Sequence, residues 1–296
     1  MKICITGANS SVGQNLLNHL ANKEGAEVIA GVRSQKAFAD LPQAANIKPT
    51  TISYEDSESL NTAMAGADCV IHLAGILIES KHSNYASANV AATAAVVAAA
   101  QSQNLKHIIF ISVVGASPDS NNAYFRSKGA AEQIVAGSGI AATIIRTPIL
   151  LGPGTAGAWS LLAAAKNPKC KVLGGGHYRM RPLDTDDLSS ALTTLGMNPA
   201  SGVSTHELVG PQSIPYRELI QKTAKMLGKE VEVGSVPVFM AKIGAALTST
   251  LKGGGITPTV IDVITSDEIV ETNADAALGL TLSSLDDTLQ RIIKAS

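Results

Sequence analysis

The chain has 296 residues, of which 45% are hydrophobic and 3% aromatic, and its net charge is −1 at neutral pH. A chain of this length can bury a large core, and it has room for one nucleotide-binding domain and a smaller appended one. The charge is balanced and no long lysine and arginine cluster occurs, which argues against a nucleic-acid partner, because phosphate binding needs concentrated basic surface. No nucleic-acid partner is therefore predicted.

The N-terminal residues combine an apolar strand at 2–6, a glycine turn and a helix that is predicted to begin at Val12. Gly7 can adopt backbone angles closed to other residues, and Gly13 lets the helix start lie close against the strand. The amides of such a helix start can hold a pyrophosphate. Ser10 replaces the middle glycine of the three-glycine motif, so we expect a displaced dinucleotide or a hydroxyl contact; an ordinary strand–helix turn is the alternative.

Apolar runs of strand length alternate with helical patterns through the first half of the chain. Runs that are hydrophobic on both faces and separated by helices are typical of a parallel sheet covered on both sides. After the first strand and helix, the predicted strands cover 27–33, 46–52, 68–75, 107–115 and 142–151, and the predicted helices cover 57–65, 86–103 and 123–136. The pattern predicts an α/β, doubly wound Rossmann domain over residues 1–152.

The alternation loosens after residue 152. Residues 153–296 are predicted to contribute to the core and to form a smaller, mainly helical domain for a substrate or partner, with helices at 214–227, 236–251, 256–264 and 285–293 and a glycine break at 253–255. The helix PVFMAKIGAAL is more apolar than most surface helices. We interpret it as a buried domain helix, with docking on a membrane face or a protein partner as the alternative.

The chain enters its first strand without a leader, and no apolar run reaches the roughly 18 to 20 residues of a membrane span, so a cytoplasmic location is expected. Cys4, Cys69 and Cys170 form an unpatterned set that predicts reduced thiols rather than disulfides. The histidines show no metal-ligand spacing, and His72 is interpreted as a buried or backbone-bonded residue. We therefore predict no metal site.

Tyr124 and Lys128 lie four residues apart in a predicted helix, which places both side chains on one face. An ammonium near a phenol favours the phenolate, so we expect Lys128 to lower the pKa of Tyr124 from about 10 toward neutrality. Ser112 ends the preceding strand and is predicted to hold the same substrate oxygen. A solvated lysine packing on tyrosine is the alternative, but Gly7, Gly75 and Ser112 all follow predicted strands at the edge where doubly wound sheets bind ligands.

The second predicted strand ends at Arg33 and carries no carboxylate for ribose hydroxyls. Arginine pairs bidentately with phosphate, so NADP(H) is the preferred cofactor, with NAD(H) as the alternative and Lys36 as an assisting residue. A surface arginine at a strand end is the other interpretation. Asp184, Asp186 and Asp187 are interpreted as first-turn and capping acids of a helix that begins near Thr185, with a pair of reactive carboxylates as the alternative. Arg179 and Arg181 are interpreted as partners of these aspartates, with binding of an anionic substrate as the alternative.

These motifs together resemble the short-chain dehydrogenase/reductase superfamily in its extended or atypical, epimerase/dehydratase-like branch, over nearly the whole chain. The matching segments are ITGANSSVG, ADCVIHLAG, NVAAT, Ser112 with YFRSK, IIRTPILLGPG and MRPLDTDDLSSAL. Within that branch, FISVVGASPDSNNAYFRSKGAAEQ and HELVGPQSIPYRELIQKTAKMLGK look most like the NAD(P)-binding group around the accessory subunit of respiratory complex I and its bacterial relatives.

The resemblance implies a role for each matched position. It places the pyrophosphate at the first turn, the adenine-side ribose after the fourth strand, the nicotinamide and its ribose at Tyr124 and Lys128, and the nicotinamide amide after the sixth strand. The implied contacts beyond Arg33, Tyr124 and Lys128 are Gly7, Asn9, Ser10, Ser11, Val12, Gly13, Leu73, Ala74, Gly75, Thr147, Pro148 and Ile149. Ser53 departs from the family pattern, because many relatives have an aspartate there that holds the adenine amine.

The sequence therefore predicts an NADP(H)-binding oxidoreductase or epimerase-type enzyme for a small organic carbonyl or alcohol. Tyr124 would be the general acid or base, Lys128 would tune it and hold the ribose, and Ser112 would orient the oxygen. The alternative is a non-catalytic, cofactor-bound accessory, assembly or redox-sensing protein. The substrate and the oligomeric state do not follow from the sequence.

Overall fold

The structure is a computed structural model that describes residues 1–252 and 255–296, so Gly253 and Gly254 of the predicted break lie outside the described residues. In chain order its strands are β1 (Lys2–Thr6), β2 (Glu27–Val32), β3 (Ile47–Thr51), β4 (Cys69–His72), β5 (His107–Val113), β6 (Ala141–Thr147), β7 (Leu150–Leu151), β8 (Lys169–Leu173), β9 (Arg179–Met180), β10 (Leu183–Asp184), β11 (Val203–Glu207), β12 (Ile214–Pro215) and β13 (Glu232–Val236).

Helices alternate with these strands. They are α1 (Ser11–Leu20), α2 (Ser57–Met64), α3 (Ala92–Ser102), α4 (Ala123–Ala136), α5 (Ala156–Lys166), α6 (Thr185–Met197), α7 (Tyr216–Met226), α8 (Val238–Lys252), α9 (Pro258–Ile264) and α10 (Leu285–Lys294). The helix predicted over 86–103 is divided, because Ala86–Ala91 forms a π-helical turn ahead of α3. None of the helices in the described ranges is long and apolar enough to cross a membrane.

Seven strands form one parallel sheet in the order β11-β6-β5-β4-β1-β2-β3. The chain runs outward from β1 to β3 and then crosses back to β4 on the other side, so the topological switch point lies between β1 and β4. This order confirms the predicted doubly wound α/β fold. The edge strand β11 comes from the second half of the chain and pairs with β6.

Both faces of the sheet are covered, which explains why its strands are hydrophobic on both sides. On one face α1 and α6 pack around a core that includes Leu16, Leu188 and Ile71. On the other face α2, α3 and α4 enclose Leu60, Phe110 and their neighbours. The carboxyl ends of the strands stay uncovered by these helices, so that edge is left for a ligand.

A third apolar cluster lies in the later part of the chain, where α5, α7 and α10 pack around Leu161, Leu219 and Leu289. Strand β13 pairs in parallel with β8 beside this cluster. The prediction that the apolar helix α8 is buried is wrong, because Phe239 and Leu247 are 66% and 65% exposed. Its buried side is supplied by smaller residues such as Ala245.

The acidic residues around Thr185 have the predicted capping role. Asp184 is the N-cap of α6, and its side chain accepts a hydrogen bond from the Asp186 backbone amide at 2.8 Å. The predicted pairing with Arg179 and Arg181 is wrong. Asp184 instead binds Arg291 of α10, while the other two guanidinium groups donate to residues of the 210–213 loop. The sequence contained no signal for this pairing, since Arg291 lies 107 residues away.

Candidate dinucleotide and active site

The turn after β1 is closed by its own serine. Ser10 is the N-cap of α1, and its hydroxyl accepts from the Gly13 amide at 3.0 Å and donates to the Gly7 carbonyl at 2.8 Å. Gly7 has φ +79°, and a Cβ at Gly13 would lie 2.5 Å from the Ala8 carbonyl oxygen. Both glycines are therefore required by the turn, and the Ser10 hydroxyl closes the turn that the first glycine opens.

A cleft of about 540 Å³ lies along the carboxyl ends of β1 to β4, at the switch point. Its predicted lining residues are Gly7, Asn9, Ser10, Arg33, Leu73, Ala74 and Gly75. Sequence reasoning missed Tyr54, Glu55, His82, Ser83 and Ser87, which also line it. Tyr54 and Glu55 follow the third predicted strand, so the strand-end rule that singled out Gly75 would have found them. Ser53, which stands where many members of the family have an aspartate, lines this cleft as well.

A smaller pocket of about 140 Å³ continues from the cleft and shares Leu73, Gly75 and Ile76 with it. Its polar lining consists of Ser112, Tyr124, Lys128 and Thr147, and its apolar lining adds Leu77, Ile111 and Val113. The structure thus brings the three predicted catalytic residues to one pocket at the ends of β4, β5 and β6. Polar groups of different strands converge here because parallel strands end at the same edge.

The Ser112 hydroxyl is the unusual group in this pocket. The residue is completely buried, and its Oγ has no hydrogen-bond partner within the described residues. A buried hydroxyl without a partner costs free energy, and this one lies at the wall of a pocket, where a ligand oxygen could bond it.

Lys128 is held by the sheet rather than by Tyr124. Its Nζ donates to the Ile111 carbonyl at 2.8 Å and lies 4.3 Å from the centre of the Phe110 ring. Burial lowers the pKa of Lys128 to about 8, while Glu132 acts in the opposite direction. The contacts with Ile111 and Phe110 hold the Lys128 Nζ in one position at the wall of the pocket.

The pKa of Tyr124 is shifted in the direction opposite to the predicted one. Burial, and next the neighbouring Tyr85 at a ring-centroid distance of 5.7 Å, raise the pKa of Tyr124 well above 10. The prediction that Lys128 lowers the pKa of Tyr124 is wrong, because burial of the phenol, which disfavours its charged form, determines the shift. Tyr124 is thus a neutral phenol, a hydrogen-bond donor, across the physiological range.

Asn89 connects the two halves of the site and was missed in the sequence. It lies in the π-helical turn, where its amide accepts from the Ile76 amide at 2.8 Å and donates to the Ile76 carbonyl at 3.1 Å. The same amide donates to Ser127 Oγ at 3.0 Å, and Ser127 donates to the Tyr124 carbonyl. A π-turn next to a ligand site is a recurrent feature, and here it aims Asn89 at both the loop after β4 and α4.

Some implied cofactor contacts do not line either pocket: Ser11, Val12, Gly13, Pro148 and Ile149. The Ile149 amide instead donates to Glu268 Oε1 at 2.8 Å, and Glu268 Oε2 accepts from the Arg181 amide at 2.6 Å. Thr147 does line the smaller pocket, and its hydroxyl donates to the Ser112 carbonyl at 3.2 Å. Lys36 lies outside the cleft, whereas the exposed Arg33 lines it.

The site fits a dinucleotide. A Cβ at Gly7 would lie 3.1 Å from the Ala74 amide nitrogen, so the backbones of two strand ends approach closely beneath the cleft. Gly7, Asn9 and Ser10 of the first turn line the cleft, and the cleft adjoins the pocket of Tyr124 and the unpartnered Ser112 hydroxyl. The fold and the site together define an NAD(P)-binding Rossmann protein.

Comparison with known proteins assigns the family. Residues 7–170 match the family model described as NAD(P)H-binding, which covers more than half of the chain. The chain therefore belongs to the NAD(P)H-binding family, and its curated relatives agree with an extended short-chain dehydrogenase/reductase-like superfamily. This confirms the resemblance drawn from the motifs.

Two curated relatives and one solved structure illustrate the range of this family. NADH dehydrogenase [ubiquinone] 1 alpha subcomplex subunit 9, mitochondrial, of Arabidopsis thaliana is 28% identical over 82% of this chain; the match spans 62% of that relative, less than two thirds of its length. The 4-hydroxy-2-methyl-3-oxo-4-farnesyl-3,4-dihydroquinoline-1-oxide ketoreductase of Stigmatella aurantiaca is 25% identical over 85% of this chain and 80% of its own. The solved structure of Citrobacter sp. triphenylmethane reductase complexed with NADP(H) is similar with a TM-score of 0.78 and 22% sequence identity. The similarity covers 99% of this chain and 100% of that chain.

Proposed function

We propose that this protein is an NADP(H)-dependent oxidoreductase that acts on a small organic carbonyl or alcohol, with Ser112, Tyr124 and Lys128 as its active-site residues. The observation that carries the proposal is the pocket in which the unpartnered Ser112 hydroxyl meets the Tyr124 and Lys128 side chains. Relatives that are named reductases support the reaction class.

The dinucleotide would lie in the larger cleft. The turn from Gly7 to Ser10 would hold the pyrophosphate, Arg33 would pair with the 2′-phosphate of NADP(H), and Lys128 would hold the nicotinamide ribose. The bound cofactor supplies the hydride, and the protein supplies position and electrostatics. Residues 1–152 would form the cofactor domain in this assignment, and residues 153–296 would close the substrate side. The bond from Asn122 Nδ2 to the Thr259 carbonyl, 3.0 Å long, supports this by joining α9 to the start of α4.

The chain's own groups favour reduction of a carbonyl. Tyr124 is a protonated phenol at neutral pH, so its hydroxyl can hydrogen-bond a carbonyl oxygen and donate its proton as the hydride arrives. Ser112 Oγ would donate a second hydrogen bond to the same oxygen and thereby gain the partner it lacks within the protein. The Lys128 ammonium would stabilise the negative charge that develops there.

The Tyr124→Phe variant tests this function, because it removes the hydroxyl and preserves the ring. We expect the rate of NADPH oxidation to fall at least about a hundredfold, the usual contribution of a general acid, with NADPH affinity nearly unchanged. The assay uses a panel of aldehydes, ketones, quinones and nucleotide sugars, with calorimetric binding in parallel. Lys128→Ala should reduce both rate and affinity, since Lys128 is assigned to the ribose as well.

Tyr178→Phe is the matched control, because Tyr178 stacks on Tyr216 away from the pocket and should retain full activity. A wild-type chain that oxidises NADPH with no member of the panel would contradict the enzymatic proposal. The second candidate is then a cofactor-bound accessory, assembly or redox-sensing protein, which is favoured by the several relatives named as subunits of NADH dehydrogenase. In that case NADPH should stabilise the fold without turnover.

A further inference from the structure

The smaller pocket has walls to which the matched motifs assign no cofactor role. These lining residues are Ile76, Leu77, Ile111, Ser112 and Val113. The four aliphatic side chains among them are only partly buried by the protein itself. A partly exposed aliphatic side chain at a pocket wall loses its remaining contact with water when a ligand binds, so this lining favours an apolar group in the ligand.

The wall formed by Ile76 and Leu77 is held in place by buried polar side chains. Both backbone groups of Ile76 are bonded to the Asn89 amide, and the Leu77 carbonyl accepts from the Tyr85 hydroxyl at 2.8 Å. Tyr85 is buried, and its ring centre lies 5.7 Å from that of Tyr124. These contacts fix the aliphatic wall beside the phenol, so an apolar group can bind there without first ordering the loop.

Within the described residues, the smaller pocket offers no unassigned cation to an anionic substrate. Lys128 is the charged residue of its lining, and its Nζ donates to the Ile111 carbonyl and is assigned to the nicotinamide ribose. Arg33 lines only the larger cleft, where it is assigned to the cofactor phosphate. A substrate carboxylate or phosphate in the smaller pocket would be buried without a counter-ion, which costs far more free energy than burying an uncharged group.

The two arginines that the sequence offered as ligands for an anionic substrate do not line the site. Neither Arg179 nor Arg181 is among the lining residues of the two cavities. The Arg179 guanidinium donates to the Ser213 hydroxyl at 3.0 Å and to the Ser213 carbonyl at 2.9 Å, and Arg181 Nε donates to the Gly210 carbonyl at 3.2 Å. These bonds hold both guanidinium groups against the 210–213 loop.

We infer that the substrate is an uncharged carbonyl compound whose apolar substituent contacts Ile76, Leu77 and Val113. The inference rests on the proposed function and narrows its substrate class, because oxo acids and nucleotide sugars become poor substrates. The carbonyl carbon accepts a hydride from NADPH and the oxygen accepts a proton from Tyr124, which yields an alcohol and NADP⁺. The Tyr124 phenolate regains its proton from solvent.

The test compares two ketones of the same shape and different charge in NADPH oxidation by the full chain. Methyl isoamyl ketone and levulinate are both methyl ketones with an ethylene linker, which ends in an isopropyl group in the first and in a carboxylate in the second. We expect kcat/KM to be at least about a hundredfold higher for methyl isoamyl ketone, since the carboxylate lacks a counter-ion. Equal values, or a higher value for levulinate, would overturn the inference and leave the proposed function intact.

Leu77 provides the test at the level of the residue. Leu77→Ala should lower kcat/KM for methyl isoamyl ketone about tenfold because apolar contact is lost, and Leu77→Arg should shift the preference toward levulinate. Leu227→Ala is the matched control, since Leu227 is also partly buried but packs on the third apolar cluster and lines neither cavity. Circular dichroism verifies that each variant is folded. Wild-type kinetics in both folded Leu77 variants would overturn the assignment of this wall.

A second pair of ligands makes the test independent of turnover. Isocaproamide and succinamate have the shapes of the two ketones, but their amide carbonyls are not reduced. Calorimetric titration of the protein with saturating NADPH should show isocaproamide binding at least about tenfold more tightly than succinamate. If neither ketone is reduced and isocaproamide binds in this way, the enzymatic proposal fails while the ligand class inferred for the pocket is retained. If neither amide binds, or succinamate binds as tightly, the inference itself fails.

Discussion

Arg33 illustrates how one side chain at a strand end can select a cofactor. It is exposed, lines the larger cleft and forms no ion pair within the described residues, so its guanidinium is available for a phosphate. Glu55 lines the same cleft, and its negative charge repels a bound phosphate more strongly the closer the two groups lie. We propose that the balance between these two residues sets the preference between NADPH and NADH.

We expect NADPH to bind about ten- to a hundredfold more tightly than NADH, the effect of one charge-assisted bidentate pair of about 1.5 to 3 kcal/mol. Arg33→Ala should remove this preference, and Lys36→Ala should retain most of it, because Lys36 lies outside the cleft. Calorimetric titration with both cofactors measures the effect. Equal affinities in the wild type, or an unchanged preference in Arg33→Ala, would contradict the assignment.

At the scale of the element, the turn from β1 to α1 shows a serine that replaces a glycine for a structural reason. The Ser10 hydroxyl accepts a hydrogen bond from the Gly13 amide and donates one to the Gly7 carbonyl, so Ser10 is the N-cap of α1. The sequence raised a hydroxyl contact with the cofactor as one expectation. The observed bonds use the hydroxyl within the turn.

Ser10→Ala should therefore lower the free energy of unfolding by about 1 kcal/mol, the usual value of an N-cap serine, and Ser10→Gly by only a few tenths. Both variants should retain NADPH affinity within about tenfold, because Gly7 and Asn9 of the turn also line the cleft. Urea denaturation and thermal shift with saturating NADPH report the two quantities. A tenfold or larger loss of affinity in Ser10→Gly would show that the hydroxyl contacts the cofactor.

At the scale of the whole molecule, a buried histidine joins two neighbouring strands of the sheet to helix α3. His72 of β4 is bonded through Nδ1 to Thr6 of β1 at 2.6 Å and through Nε2 to Thr93 of α3 at 3.2 Å. Thr93 donates its only hydroxyl proton to the Asn89 carbonyl, so Nε2 of His72 must be the donor and Nδ1 the acceptor. Burial, and next the charge of Lys128, lower the pKa of His72 to about 3.

This pKa has a consequence for acid stability. Between pH 6.5 and 3 the unfolded chain binds a proton at His72 that the folded chain does not, so stability falls as the pH falls through this window. The His72 contribution to the slope should approach about 1.4 kcal/mol per pH unit near pH 5. Denaturation of the wild type and His72→Gln at pH 7, 6 and 5 isolates it, with the exposed His82→Gln as control.

A nitrogen NMR titration of the wild type provides an independent measurement should His72→Gln fold poorly. His72 should remain the neutral tautomer with a protonated Nε2 down to pH 4. Titration of this ring near pH 6 would contradict both the bonding pattern and the expected slope.

Local pattern determined much of this fold and part of its site. The strands of the first half, the helix at 123–136 and the capping role of Asp184 follow from hydrophobic period and capping chemistry, which act between near neighbours. The strand-end rule also located Gly75 and Ser112 at the ligand edge, because parallel strands finish together. These features were predictable because each depends on a short segment and one topology.

Tertiary structure decided the features that depend on distant parts of the chain. Burial controls the pKa of Tyr124 and Lys128, and no sequence spacing shows how completely a side chain is desolvated. The partner of Asp184 and the edge strand β11 come from later residues that only folding brings near. Helix α8 has enough apolar residues to be part of a core. Whether they are buried depends on which elements pack against the helix, and in this fold its large apolar side chains face solvent.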